Sequence, residues 1–225
     1  MADERNTHNQ LVSYVDSLYS NSDSSQLSEL LAQARTDSDE LGHTGMSLSS
    51  LEGRMLASFV RMRGCKKFVE IGTLTGYSAL WILSAMPGGS FYALEREPKH
   101  FAVAQKNLGA WNGETSVQVL LGDALENLEK ISSHRPFDGV FIDADKSSYC
   151  KYLDWAEKNV SAGGLIIADN TLLDGMVLDP QKKTVFSKKQ VEVLREFNQR
   201  LADAGKYNSM ILPTFAGMTV AIKKF

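Results

Sequence analysis

Apolar residues recur along this chain in two regimes. In roughly the first 60 residues, Leu11, Val12, Val15 and Leu18 fall at spacings of three and four, which predicts an amphipathic helix. A polar stretch from Ser20 to Ser25 separates it from a second helix carrying Leu27, Leu30 and Leu31. Ser49 or Ser50 then caps a third helix through Met55, Leu56, Phe59 and Val60, which Gly64 stops. From Lys67 onward the pattern changes to short apolar runs alternating with helical stretches, the signature of parallel βαβ units. Strands are predicted at Phe68 to Ile71, Ser90 to Leu94, Val117 to Leu121, Gly139 to Asp143, Leu165 to Ala168, Tyr207 to Leu212 and Met218 to Ile222. Helices are expected to begin near Gly76, Pro98, Ala124, Ser147 and Ser187. The last two strands are joined by Pro213-Thr214-Phe215-Ala216-Gly217, too short for a crossover helix, so they pair as a hairpin and one runs antiparallel to the rest. The expected organisation is one α/β domain over 1–225, with a helical lead-in over 1–64 and an α/β core over 65–225. The lead-in either covers an active site or packs on the sheet or on a partner subunit.

Composition narrows the function classes. The chain has 225 residues, 43% of them hydrophobic, which suits a single soluble domain. Its 27 acidic residues against 24 Lys plus Arg give a net charge of -3, and non-specific nucleic-acid binding needs the opposite balance. Cys65 and Cys150 cannot staple a domain of this size and are expected to be free thiols in a reducing compartment, so the cytoplasm is the expected location. The first twenty residues lack an apolar core followed by a small-residue cleavage site, and no apolar run approaches the roughly 20 residues that span a bilayer. Export, processing and membrane insertion are therefore not expected.

In an open α/β sheet, ligands bind beyond the carboxyl ends of the strands, so unusual residues there are the candidates. The first strand ends in Val69-Glu70-Ile71-Gly72 and runs into Thr73-Leu74-Thr75-Gly76-Tyr77-Ser78. Two glycines four apart let backbone approach a ligand and leave helix amides facing it. The spacing is neither the dinucleotide fingerprint nor a phosphate-binding loop with its Lys next to Ser or Thr. Glu95 ends the second strand, 23 residues after Gly72, where a carboxylate can accept hydrogen bonds from both ribose hydroxyls or lie on the surface beside Arg96 and Glu97. Asp123 and Ala124 follow the third strand, and Asp123 either accepts from an adenine amino group or caps the next helix. Together these describe an adenosine site without a phosphate clamp, which points to S-adenosylmethionine. The fourth strand leads into Asp143-Ala144-Asp145-Lys146 and the fifth into Asp169-Asn170. If those strands are neighbours, Asp143, Asp169 and Asn170 form an all-oxygen set suited to a hard cation such as Mg²⁺.

The segments VEIGTLTGYSAL, LGDALENL, FDGVFIDADKSSY and GGLIIADNTLLDG, with Glu95 between the first two, resemble the cation-dependent O-methyltransferases of the caffeoyl-CoA and catechol type, from about Met46 to the C-terminus. The resemblance implies a Rossmann-like class I methyltransferase fold, a seven-stranded, mostly parallel sheet with its last strand antiparallel and helices on both faces. It implies Asp143, Asp169 and Asn170 as ligands of a divalent cation, Mg²⁺ first and Mn²⁺ or Ca²⁺ as alternatives, and Lys146 with Asp143 as the catalytic pair, Lys146 being the base. It also implies cofactor contacts at Met46, Leu48, Glu70, Gly72, Thr73, Gly76, Ser78, Glu95, Arg96, Asp123, Ala124 and Asp143. The implied acceptor is a small aromatic diol, and the bacterial branch implies a homodimer. The chain departs from the family at Leu173, where relatives often carry Trp, and at Phe215-Ala216-Gly217, where they often carry Gly-Asp-Gly. Both departures concern the acceptor side.

A lysine in the base role needs a pKa brought toward neutrality by burial or nearby positive charge. Tyr149 and Tyr152, one turn beyond Lys146, either edge the acceptor pocket or are structural. His8, His43, His100 and His134 are scattered without metal-binding spacing and read as surface or packing residues, and Trp81, Trp111 and Trp155 as helix packing. Lys182-Lys183 and Lys188-Lys189 read as a solvated face that can also meet an acidic substrate such as a CoA thioester or RNA. Two rival readings follow: methylation of a hydroxylated uridine in tRNA, and a cofactor-binding partner or sensor that no longer catalyses.

Overall fold

The structure is a computed structural model that describes residues 2–19, 23–178 and 186–225, with side chains from residue 10 onward. Three helices lead in: α1 (Ala2–Tyr19), α2 (Ser25–Glu40) and α3 (Ser50–Arg63). Ser49 caps α3 in a reciprocal box with Glu52, and Gly64 ends it in the left-handed conformation that glycine adopts without a Cβ penalty. Then follow β1 (Lys67–Ile71), α4 (Tyr77–Ala85), β2 (Gly89–Glu95), α5 (Pro98–Gly109), β3 (Thr115–Leu121), α6 (Ala124–Ile131), β4 (Phe137–Ile142), α7 (Tyr149–Asn159), β5 (Val160–Ala168), α8 (Lys188–Leu201), β6 (Tyr207–Leu212) and β7 (Met218–Lys223).

The strands form one seven-stranded sheet in the order β3-β2-β1-β4-β5-β7-β6. All neighbours pair in parallel except β7, which is antiparallel to both β5 and β6. The hairpin deduced from the short 213–217 connection is therefore present. Alternation along the strands divides the core into two layers. Val69, Ile71, Tyr92 and Leu94 point toward α6, α7 and α8, whereas Phe68, Phe91 and Ala93 point toward α2, α3 and α4. On α1 the predicted apolar face is only half covered, since Val12 and Val15 are partly buried while Leu11 and Leu18 are exposed.

Several boundaries differ from expectation by a residue or two, and two bear further comment. β4 ends at Ile142, which leaves Asp143 just outside the strand. β5 begins at Val160, immediately after α7, because the chain needs no loop there and Gly163 accommodates an irregularity at φ 73°. The pair Lys182-Lys183 lies outside the described residues.

The order of strands reverses between β1 and β4, so α4, after β1, and α7, after β4, pack on opposite faces and leave a crevice at the strand ends. The β1 turn there is held to its neighbours by backbone bonds from Gly72 N to Leu94 O (3.0 Å) and from Asp143 N to Ile71 O (2.9 Å). Asp169 N reaches Ile142 O at 3.0 Å, which brings the end of β5 into the same row.

Candidate active site

A cavity of about 790 Å³ opens along these strand ends. Its wall is built from the segment before α3, the turns after β1 to β5, the start of α8 and the β6–β7 connection. Of the residues singled out in the sequence, Met46, Leu48, Gly72, Thr73, Ser78, Glu95, Arg96, Asp123, Ala124, Asp143, Lys146, Tyr152, Asn170 and Leu173 line it. Glu70, Gly76, Asp169 and Tyr149 lie behind that wall. Gly76 starts α4 with φ 91°, where a Cβ would press on Leu108 at 3.0 Å. Gly72 is required more strictly, because at φ 89° its Cβ would sit 2.1 Å from the Asp143 carbonyl oxygen.

At one end of the cavity Glu95 is buried and held by backbone amides. Its Oε2 accepts from Leu74 N at 2.9 Å, and its Oε1 accepts from Arg96 N at 2.8 Å and Glu97 N at 2.9 Å. The surface alternative for Glu95 is thereby removed. Asp123 caps α6 through Oδ1, which accepts from Leu125 N at 2.8 Å and Glu126 N at 3.2 Å, and it also faces the cavity. Capping and ligand recognition are compatible, since a carboxylate has a second oxygen. Glu70 has no exposed surface, and burial pushes its carboxyl up to about 7; the hydroxyls of Ser78 and Thr73 counter that rise, while Asp143 and Glu95 add to it.

At the other end, Lys146 Nζ donates to Asp143 Oδ1 at 2.8 Å and to the Tyr149 hydroxyl at 2.9 Å. Burial on its own lowers a lysine pKa, but here Asp143 and Tyr149 outweigh it and hold the ammonium above its ordinary value. The condition set for a lysine base, a pKa brought toward neutrality, is not what these neighbours provide: the partner Lys146 finds is an anion. Beside this pair, Asn170 Nδ2 donates to Asp169 Oδ2 at 3.0 Å, and Asn170 itself has φ 57°. Burial, then the charges of Asp143 and Glu52, holds the Asp169 carboxyl well above the usual carboxylate range. Asp169 Oδ1 is buried with no hydrogen-bond partner among the described residues.

A family model described as O-methyltransferase matches residues 21–224. The chain belongs to the O-methyltransferase family. It is 35% identical over 204 residues to a catechol O-methyltransferase of Niastella koreensis, covering 87% of this chain and 90% of that protein. Among solved structures, an O-methyltransferase from Bacillus cereus in complex with SAH superposes with a TM-score of 0.82 at 29% identity, covering 96% of this chain and 97% of that one. The O-methyltransferase TomG of Streptomyces achromogenes, involved in tomaymycin synthesis and in complex with SAM, superposes with a TM-score of 0.85 at 28% identity over the whole of both chains.

In this O-methyltransferase the structure joins residues that sequence spacing left apart. His43, before α3, and His100, on α5, bring their Nε2 atoms to 2.9 Å with rings edge to face, and both line the cavity next to Glu95. His134 instead bonds the Tyr92 hydroxyl through Nδ1 at 2.9 Å. No local pattern announces a pair separated by 57 residues. Phe186, Phe215 and Ala216 also line the cavity and were legible only as lying in or near loops, while Gln190, in the first turn of α8, lines it without any signal in the sequence. Tyr149 has no exposed surface and does not line the cavity, whereas Tyr152 reaches the wall. The packing reading holds for Trp155, whose Nε1 donates to Leu128 O at 3.1 Å and Ser132 Oγ at 2.8 Å.

Proposed function

We propose that this O-methyltransferase moves the methyl group of S-adenosylmethionine to one hydroxyl of a small vicinal dihydroxy aromatic, with a divalent cation, Mg²⁺ first, held by Asp143, Asp169 and Asn170. The observation that carries the reading is the buried, unpartnered Asp169 Oδ1 close to the charge of Asp143, at the ends of two adjacent strands. A buried carboxylate oxygen without a donor is costly, and a hard cation with oxygen ligands meets that need. Among the described residues no group of three His, Cys, Asp or Glu side chains is gathered to hold a metal, so the amide oxygen of Asn170 is needed as the third ligand.

The donor end fits a nucleoside. Glu95 is already oriented by three amides, which occupy three of its about four acceptor positions and leave one on Oε2 for a ribose hydroxyl. Met46 and Leu48 supply an apolar wall, and Asp123, which also lines the cavity, would accept from an exocyclic amine through its second oxygen. The acceptor end is walled by Tyr152, Leu173, Phe186, Phe215 and Ala216, an apolar lining suited to a flat ring. The relatives support the same assignment: one is named a catechol O-methyltransferase, and two structural neighbours hold SAH or SAM.

When bound, S-adenosylmethionine supplies an activated methyl group, and the cation supplies positive charge that favours the phenolate over the phenol. Lys146, which lines the cavity with its Nζ held by Asp143 and Tyr149, would be the group that moves the acceptor's proton. To act as base it must first lose a proton. Asp143, which holds that proton on Lys146, would also be a ligand of the cation, and a cation there would compete with the ammonium for its charge. The cavity walls then contribute alignment of the reacting groups.

The test is methyl transfer from S-adenosylmethionine to simple catechols, caffeic acid, caffeoyl-CoA and hydroxyuridine tRNA. Transfer to a small diol that stops in EDTA and returns with Mg²⁺ is expected. Full activity in excess EDTA refutes the cation, and activity on tRNA alone replaces the small acceptor with a macromolecular one.

A further inference from the structure

Tyr149 presents a buried hydroxyl that packing does not require. Its side chain has no exposed surface and lies in the core layer between the sheet and α7 and α8, edge to face with Phe197 at 5.3 Å and tilted toward Tyr152 at 6.3 Å. Phenylalanine would fill that space equally well and would spare the cost of taking a hydroxyl out of water. The hydroxyl is nonetheless fully used. It accepts from Lys146 Nζ at 2.9 Å and lies 2.9 Å from the Asp169 carbonyl oxygen and 3.3 Å from that of Ile142, to which it donates its own proton. These contacts join three points of the site: the ammonium, the end of β4 and the end of β5.

We propose that Tyr149 is a positioning residue for methyl transfer, which acts by fixing Lys146 Nζ between two anchors and by tying the ends of β4 and β5 together. The proposal rests on the assignment of Lys146 as the group that moves the acceptor's proton. Nζ has three hydrogens. With one on Asp143 Oδ1 and one on the Tyr149 hydroxyl, the third is the proton that Nζ must lose to act as base, and the lone pair so freed is left for the acceptor's proton in the cavity that Lys146 lines. A single anchor at Asp143 would allow the long, flexible side chain to swing about it; two anchors define a position. The hydroxyl belongs to the first turn of α7, three residues beyond Lys146, so the short turn at Lys146–Ser148 delivers both groups to the same point.

The test is Tyr149→Phe, which keeps the ring and deletes the hydroxyl, compared with Lys146→Met and Phe197→Leu in the full-length protein supplied with S-adenosylmethionine, Mg²⁺ and a catechol. Tyr149→Phe is expected to lower kcat by about tenfold or more while KM for donor and acceptor stay within about twofold, as misplacement of a reacting group predicts. Its affinity for S-adenosylhomocysteine, read by calorimetry, should equal that of the wild type. Phe197→Leu loosens the packing of the same ring without touching the hydroxyl; it should lower Tm and leave kcat unchanged. A kcat for Tyr149→Phe within about twofold of wild type, with Lys146→Met inactive, overturns the positioning role and leaves the proposed reaction standing. Equal losses of kcat in Tyr149→Phe and Phe197→Leu also overturn it, because packing alone would then account for the effect. Wild-type turnover in Lys146→Met overturns the assignment of the base and, with it, the role of Tyr149.

Discussion

Replacing Glu70 with Gln should remove a pH dependence from the stability of the ligand-free protein. Glu70 sits in β1, an interior strand of the sheet, with no exposed surface, and its carboxyl is pushed up from 4.5 to about 7, chiefly by burial. Below pH 4.5 the folded and unfolded chains both carry the proton, and the group adds no pH-dependent penalty. Between 4.5 and about 7 the folded chain keeps a proton that the unfolded chain releases, so stability falls as pH rises. Above about 7 the loss is complete. At about 1.4 kcal/mol for each pH unit, the interval corresponds to a loss of about 3 kcal/mol. Glutamine keeps the shape and cannot titrate. Its amide can change the absolute stability, so the quantity to measure is a difference of differences. Urea unfolding of both proteins at several pH values from 4.5 to 8, without metal or cofactor, gives the stability gap between them. That gap should move by about 3 kcal/mol in favour of Glu70→Gln as pH rises, with m values equal. Parallel stability curves, agreeing within about 1 kcal/mol across the range, would refute the reasoning, since they would mean that Glu70 is solvated or paired well enough to ionise normally.

Two further outcomes are expected. Gly72→Ala should cost several kcal/mol, about 3 or more, because its Cβ would lie 2.1 Å from a backbone oxygen at a φ of 89° that alanine resists; urea unfolding reads this, and a loss under about 1 kcal/mol would mean that the β1 turn yields easily. His43→Ala removes one bond between the segment before α3 and α5, and should weaken S-adenosylhomocysteine binding by about two- to tenfold in calorimetry, the size of one ordinary hydrogen bond, with no effect expected on kcat at saturation.

The state of Lys146 links electrostatics to chemistry. A base paired with a carboxylate is a poor base, and this pairing is the main electrostatic fact at that end of the cavity. The same carboxylate belongs to the expected cation set, so one residue connects cation occupancy to the proton affinity of the lysine. If the proposed cation binds there, activity would depend on it twice, through the acceptor and through Lys146, and the EDTA experiment reads both together.

Much of this protein was legible in one dimension because its signals are local. Periods of 3.6 and 2 give helices and strands wherever a face is buried, and they located all seven strands, most of them within a few residues. The short 213–217 connection dictated the antiparallel strand by reach alone. Strand-end acids and glycines marked the site because the fold class places ligands there, and most of them do line one cavity. What lay beyond reach were relations between distant segments. The contact of His43 with His100 and the burial of Tyr149 behind Lys146 depend on how α2, α5, α7 and α8 dock on the sheet. The raised pKa of Glu70, the ion pair of Lys146 and the unpartnered oxygen of Asp169 are decided by the same docking, which strips water from some polar groups and brings others into contact. The sequence by itself determined which residue types stand at the strand ends; the tertiary structure decided their charge and their partners, since both depend on distance and desolvation, quantities that exist only once the chain has folded.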